Sequence, residues 1–152
     1  MFTLDKTKHF YSLSRTRQPQ PGDIIEIKAF ISHAAYTYGL QSIINYDPSV
    51  LQLVGKDGTP VTSGNAGDYF ATDLAPIDTI KNNAGANTIE YTASFVGDVT
   101  KDPKDEGTVV TYYFKWINDK AISTTLTPSL KTVDIYGTLY QSKVESLELK
   151  IK

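Results

Sequence analysis

The sequence has no cysteine among its 152 residues. That absence removes disulfides, thiolate metal ligands and cysteine nucleophiles together. It leaves secretion open, because a chain of this length buries enough apolar surface to fold without cross-links. Charge of one sign is also lacking. Fifteen Lys and Arg stand against 17 Asp and Glu, a net charge of −2, and the basic residues are scattered, so nothing favours a nucleic-acid partner. No apolar run approaches the roughly 20 residues that a membrane helix needs. The opening MFTLDKTKHFYSLS has no apolar stretch after its lysines and is not a signal peptide. The chain is then either intracellular or a module of a larger protein, and the lack of a linker-like C-terminal tail favours the module.

Catalytic signatures are missing as well. There is no G-x-S-x-G, P-loop or dinucleotide fingerprint. The two histidines, His9 and His33, have no partner at metal-ligand spacing. Gly64-Asn65-Ala66-Gly67-Asp68 is Gly-rich but lacks the Lys and following helix of a phosphate cradle, so it reads as a loop. Asp98, Asp102, Asp105 and Glu106 offer oxygen ligands of the kind Ca²⁺ prefers, but not at EF-hand spacing, and read as a solvated loop. A glycosidase needs two carboxylates at a set separation. A short-looped chain of this size promises no cleft to hold them, so no enzyme is expected.

What is present is β pattern. Residues 24–31 are apolar, β-branched and partly alternating, and Pro21-Gly22-Asp23 before them is a turn signal. Residues 40–46 and 50–54 are two further runs, with a tight turn at Asp57-Gly58. Residues 58–69 are loop-rich, 72–80 hold the one candidate helical turn, limited by Pro76, and 82–87 read as a turn. In 88–95, Ile89, Tyr91, Ala93 and Phe95 alternate with Glu90, Thr92 and Ser94. Residues 97–107 form a polar loop, and 109–117 are the most apolar strand, with Trp116 inside. Residues 123–126, 131–136 and 143–151 complete the set. Eight to ten short strands with Gly, Pro, Asn and Asp turns predict an all-β sandwich or barrel in one domain spanning 1–152, of which 1–7 read as linker or added residues.

Pro21-Gly22-Asp23, then Gly39-Leu40-Gln41-Ser42-Ile43-Ile44-Asn45-Tyr46-Asp47-Pro48-Ser49-Val50-Leu51, resemble the cohesin family, the dockerin-binding modules of bacterial scaffoldins. Asn87-Thr88-Ile89-Glu90-Tyr91 and Gly107-Thr108-Val109-Val110-Thr111-Tyr112-Tyr113-Phe114-Lys115 are similar to two later strands of that family. The likeness runs from about residue 8 to 152, with departures at Ser42, where the family has a large apolar residue, and in the aromatic stretch 110–113. It implies a nine-stranded jelly-roll β-sandwich whose first and last strands pair. It also implies that Tyr46 and Leu51 are core and that Asp47-Pro48 only turns the chain.

Period two then sorts the faces. With Leu40, Ile44 and Tyr46 inward, Gly39, Gln41, Ile43 and Asn45 point outward; Glu90, Thr92 and Ser94 do so from 88–95. With Val110, Tyr112, Phe114 and Trp116 inward, Val109, Thr111, Tyr113 and Lys115 point outward, unless Val109-Val110 carries a bulge. The resemblance puts these three strands in one sheet that receives the dockerin helices. The expected partner-binding set is therefore Gly39, Gln41, Ile43, Asn45, Glu90, Thr92, Ser94, Thr111 and Tyr113, apolar at Ile43 and Tyr113 and polar around them. The resemblance further implies no cofactor on this chain, Ca²⁺ in the dockerin, a monomer when alone, and an extracellular or cell-surface setting within a larger secreted protein. Two alternatives stay open. One is a carbohydrate-binding module using Tyr36, Tyr38, Tyr69, Tyr136 and Tyr140; the other is a purely structural domain.

Overall fold

Each run in which β-branched or aromatic residues alternate with polar ones is a strand. The computed structural model describes residues 10–15, 20–32, 37–67, 69, 77–83, 87–94, 106–134 and 136–151. Along these lie β1 (Phe10–Arg15), β2 (Ile24–Ser32), β3 (Thr37–Asn45), β4 (Leu51–Val54), β5 (Asn65–Ala66) and β6 (Ile77–Asn83). They are followed by β7 (Thr88–Ser94), β8 (Gly107–Trp116), β9 (Ser123–Asp134), β10 (Leu139–Lys143) and β11 (Leu147–Lys150). One sheet has the order β1-β2-β8-β4, with β5 also on β8; the other has β10-β9-β3-β7-β6, with β11 also on β9. The two sheets form a jelly-roll β-sandwich, as the resemblance implied.

Alternation decides what lies between the sheets. Ile25, Ile27, Ala29 and Ile31 point inward from β2, and Ile89, Tyr91 and Ala93 from β7. Tyr112, Phe114 and Trp116 of β8 meet Ile44, Leu126 and Leu130 of the other sheet in one buried cluster. Each fully buried Ile, Leu or Phe in it contributes about 1.5–3 kcal/mol relative to an exposed side chain.

The turns carry the local chemistry. Asp23 N donates to Gln20 O at 3.0 Å across Pro21-Gly22, with Gly22 at φ +85°, the positive value a type II turn requires at that place. Gly22 N donates to Trp116 O, and Trp116 N to Asp23 O, which ties this turn to the end of β8.

The Tyr46–Leu51 segment is a corner between the sheets. Tyr46 and Leu51 are buried, and Val50 N and Leu51 N both donate to Asp47 O. Asp47 Oδ1 accepts from Ser49 N at 2.9 Å and from Ser49 Oγ at 2.6 Å. Pro48 keeps Asp47 out of the helical region, so the chain turns from β3 into β4.

Several expectations need correction. Among the described residues eleven strand segments stand where nine strands were expected, because β5 is two residues long and β10 and β11 share the neighbour β9. Among the described residues the first and last strands do not pair with each other: β1 pairs with β2, and β11 with residues 123–126 of β9. Residues 77–80 are not helical but begin β6, where antiparallel pairing with β7 satisfies their backbone; 72–76 lie outside the described residues. Residues 123–126 and 131–134 are one strand, β9, running through Pro128. At Thr127-Pro128 neither β10 nor β11 is alongside, and there a missing N–H costs no second ladder bond.

Val109 is buried rather than outward, because a bulge falls there. Ala29 pairs with Val110 and Phe30 with Thr108, so Val109 is passed over and two successive valines face the core. Gly67 is held against β8 by its N–H to Val109 O at 2.9 Å, so close that a Cβ would overlap the Thr108 carbonyl. The Gly-rich stretch is thus the pairing segment around β5.

Candidate docking face

Seven of the nine expected site residues come together. β3 and β7 are adjacent and antiparallel, with Gly39 opposite Ser94, Gln41 opposite Thr92 and Ile43 opposite Glu90. On its other side β3 pairs with β9, so that Gly39 meets Val133, Gln41 meets Lys131, Ile43 meets Ser129 and Asn45 meets Thr127. Residues directly opposite in antiparallel strands share a face. The inward set Leu40, Ser42 and Ile44 is buried, while Gln41 and Ile43 are half-buried and Asn45 is exposed.

The polar groups here hold one another. Gln41 Nε2 donates to Glu90 Oε1 at 2.7 Å, and Thr92 Oγ1 donates to the same oxygen at 3.2 Å. Glu90 is therefore fixed beside Ile43 before any partner arrives. Gly39 is buried, and a Cβ there would come within 2.9 Å of Ser94 Cβ and 3.2 Å of Val133 Cγ1. Glycine lets the backbone of β3 form the floor of a shallow depression of about 300 Å³ lined by Gly39, Gln41, Ser94, Lys131, Val133 and Leu139, among others.

Thr111 and Tyr113 are not part of this face. They lie on β8, in the opposite sheet. Tyr113 OH donates to Glu26 Oε2 at 3.3 Å, and Lys28 Nζ lies 3.5 Å from Glu26 Oε1. Partial burial, then the Glu26 charge and hydrogen bond, raise the Tyr113 phenol above its ordinary pKa. Alternation showed correctly that Tyr113 points away from the core, but a sandwich has two outer faces and alternation does not choose between them.

The sequence reading missed Ser129, Lys131 and Val133 on β9 and Leu139 on β10. Their signal was present: Leu126, Pro128, Leu130 and Thr132 are buried, and the residues between them face out. Reading 123–126 and 131–136 as separate runs hid this alternation.

The tyrosines proposed for a sugar face do not form a row among the described residues. Tyr69 is buried, Tyr140 stands opposite the buried Thr132, and Tyr136 is exposed in the β9–β10 hairpin. Tyr38 is half-buried on β3, and Tyr36 lies outside the described residues. Trp116 is 1% exposed and donates Nε1 to Asn118 O at 2.7 Å. His9, His33, Asp98, Asp102 and Asp105 also lie outside the described residues, and Glu106 is exposed. Among the described residues no cluster of three or more His, Asp or Glu is placed to hold a metal ion. Among the described residues no helix is long and apolar enough to cross a membrane.

No curated protein matches the chain. Solved structures do. The second type II cohesin module from the adaptor ScaA scaffoldin of Acetivibrio cellulolyticus superposes with a TM-score of 0.81 at 22% identity, covering 93% of this chain and 90% of that one. A cohesin module from a Clostridium perfringens family 33 glycoside hydrolase gives 0.70 at 13% identity, covering 96% and 98%. The chain in a type II cohesin–X–dockerin complex from Acetivibrio cellulolyticus gives 0.74 at 20% identity, covering 91% and 94%. At these identities the likeness is one of fold. The sequence itself matches the family model for the cohesin domain over residues 11–132, a family of non-catalytic binding modules that carry no cofactor. The corner at Asp47-Pro48, the bulged β8 and the two-sheet topology thus belong to a member of the cohesin domain family.

Proposed function

We propose that the outer face of the β9-β3-β7 sheet docks a dockerin and so attaches a dockerin-bearing protein to the larger secreted or cell-surface protein that carries this module. The observation that carries this reading is the half-buried Ile43 flanked by the pre-set Gln41–Glu90–Thr92 cluster. It supplies an apolar centre with polar neighbours already in place, the arrangement from which protein interfaces are built. Because the polar side chains are tied down before binding, less conformational freedom is lost on association. The dockerin complex among the similar structures supports a partner of this kind. The site set is then Gly39, Gln41, Ile43, Asn45, Glu90, Thr92 and Ser94, joined by Ser129, Lys131 and Val133. The module is a monomer when alone, and Ca²⁺ belongs to the dockerin.

Calorimetric titration with a panel of dockerins, with Ca²⁺ and again with chelator, tests the proposal. One-to-one binding that the chelator abolishes is the expected result. Binding of oligosaccharides in place of any dockerin would overturn it in favour of a carbohydrate-binding module.

A further inference from the structure

Resting on the docking face proposed above, we infer that its partner is a dockerin whose recognition helix is acidic and carries an aliphatic side chain beside its carboxylates. The chain as a whole carries a net charge of −2, but this face does not share that sign. Lys131 stands opposite Gln41 and is exposed. The rows that run through Gly39, Gln41, Ile43 and Asn45 hold only one carboxylate, Glu90, and it already accepts from Gln41 and Thr92. Among the described residues Lys131 makes no ion pair. Lys131 therefore stands on this face with no counter-charge of its own, while Glu90 is already engaged, and complementarity calls for carboxylates on the partner.

The second element is apolar. Leu139 is 78% exposed and stands opposite Val133, in the row of Gly39 and Ser94. The depression these residues help to line, about 300 Å³, is at the small end of ligand sites. It is large enough to seat an aliphatic side chain, and Lys131 borders it. The aliphatic anchor and the carboxylate of the partner therefore arrive side by side, displaced from Ile43 toward β10.

The test uses Ca²⁺-loaded dockerins chosen to span acidic and basic recognition helices, with association measured at rising NaCl. Binders are expected among the acidic set, with association rates that fall as salt rises. Lys131→Glu is expected to slow association of the tightest binder about tenfold at low salt and to flatten its salt dependence, as loss of a steering charge does. Leu139→Ala is expected to speed dissociation instead. Binding confined to basic helices, or a Lys131→Glu variant that associates as fast as the parent, overturns the inference. Ile43→Asp separates it from the docking reading. If Ile43→Asp abolishes binding while Lys131→Glu changes nothing, only the charge assignment falls. If Ile43→Asp leaves binding intact, or no dockerin of either charge binds, the docking face itself is wrong and the inference falls with it.

Discussion

The ring of Tyr46, just after β3, lies 5.4 Å from the ring of Phe114 on β8, with their planes tilted by 54°. The two strands belong to different sheets, so this contact fastens one layer of the sandwich to the other. Tyr46→Ala and Phe114→Ala are each expected to cost about 3–5 kcal/mol. Together they should cost less than the sum, by about 0.5–1.5 kcal/mol, since the second change removes a contact already lost. Urea unfolding of the two single variants and the double variant measures both quantities, and strict additivity would show that the rings do not act as a pair.

Ile43→Asp should weaken dockerin binding by at least about 2 kcal/mol, the scale of an interface hot spot, without unfolding the module. Thr111→Asp should leave affinity unchanged, because Thr111 is on the opposite sheet beside Lys28. The pair of titrations tells the two outer faces apart. Equal losses from both variants would point to a general effect on folding.

Acid should find the corner at Asp47. The Ser49 hydroxyl, and then the Ser49 backbone N–H, hold the Asp47 carboxyl below its ordinary pKa. A depressed pKa in the folded state stabilises above the unfolded carboxylate value of about 3.9, and that contribution is lost as pH falls through the folded value. Asp47→Asn should therefore lose less stability than the parent on acidification below about pH 4. Parallel chemical melts down the acid range give the comparison, and identical slopes would mean that Asp47 contributes nothing.

Gly67→Ala should destabilise by about 1–3 kcal/mol, the usual cost of forcing atoms into a packed site. The added methyl would overlap the Thr108 carbonyl where the segment around β5 lies on β8. Gly22→Ala is the contrast: nothing crowds a Cβ there, and its cost comes only from the positive φ. Thermal melts of both variants would show whether close approach or backbone angle is the heavier constraint.

Much of this was legible from residue types. The alternation in 88–95 named the buried Ile89, Tyr91 and Ala93, with Phe95 outside the described residues, and Leu40, Ile44 and Tyr46 fixed the outward side of β3. The sequence of Val109-Val110 even marked the bulge. Long-range choices were harder to read. Nothing local in 109–116 states which sheet it joins; the resemblance put it in one sheet with 39–45 and 88–94, and Tyr113 was therefore grouped with Ile43, although they lie on opposite outer faces. The continuity of β9 through Pro128 was not legible either, because the cost of proline depends on whether a neighbour needs its missing N–H, and neighbours are a tertiary fact. The Leu139 depression was invisible for the same reason, since its lining comes from β3, β7, β9 and β10 together.

The corner after β3 also bears on how fast the molecule is made. Tyr46 N donates to Asn87 O, Asn118 Nδ2 to Ser49 O, and Ile117 N to Val50 O. One six-residue bend is thus closed by groups about forty and seventy positions farther along the chain. None of these bonds can form until distant strands have met, and chains dominated by such pairings fold in milliseconds to seconds, more slowly than helical bundles. During synthesis the bend has to wait for the strand that ends at Trp116, and until then the apolar faces of Tyr46 and Leu51 are uncovered and open to association with other chains.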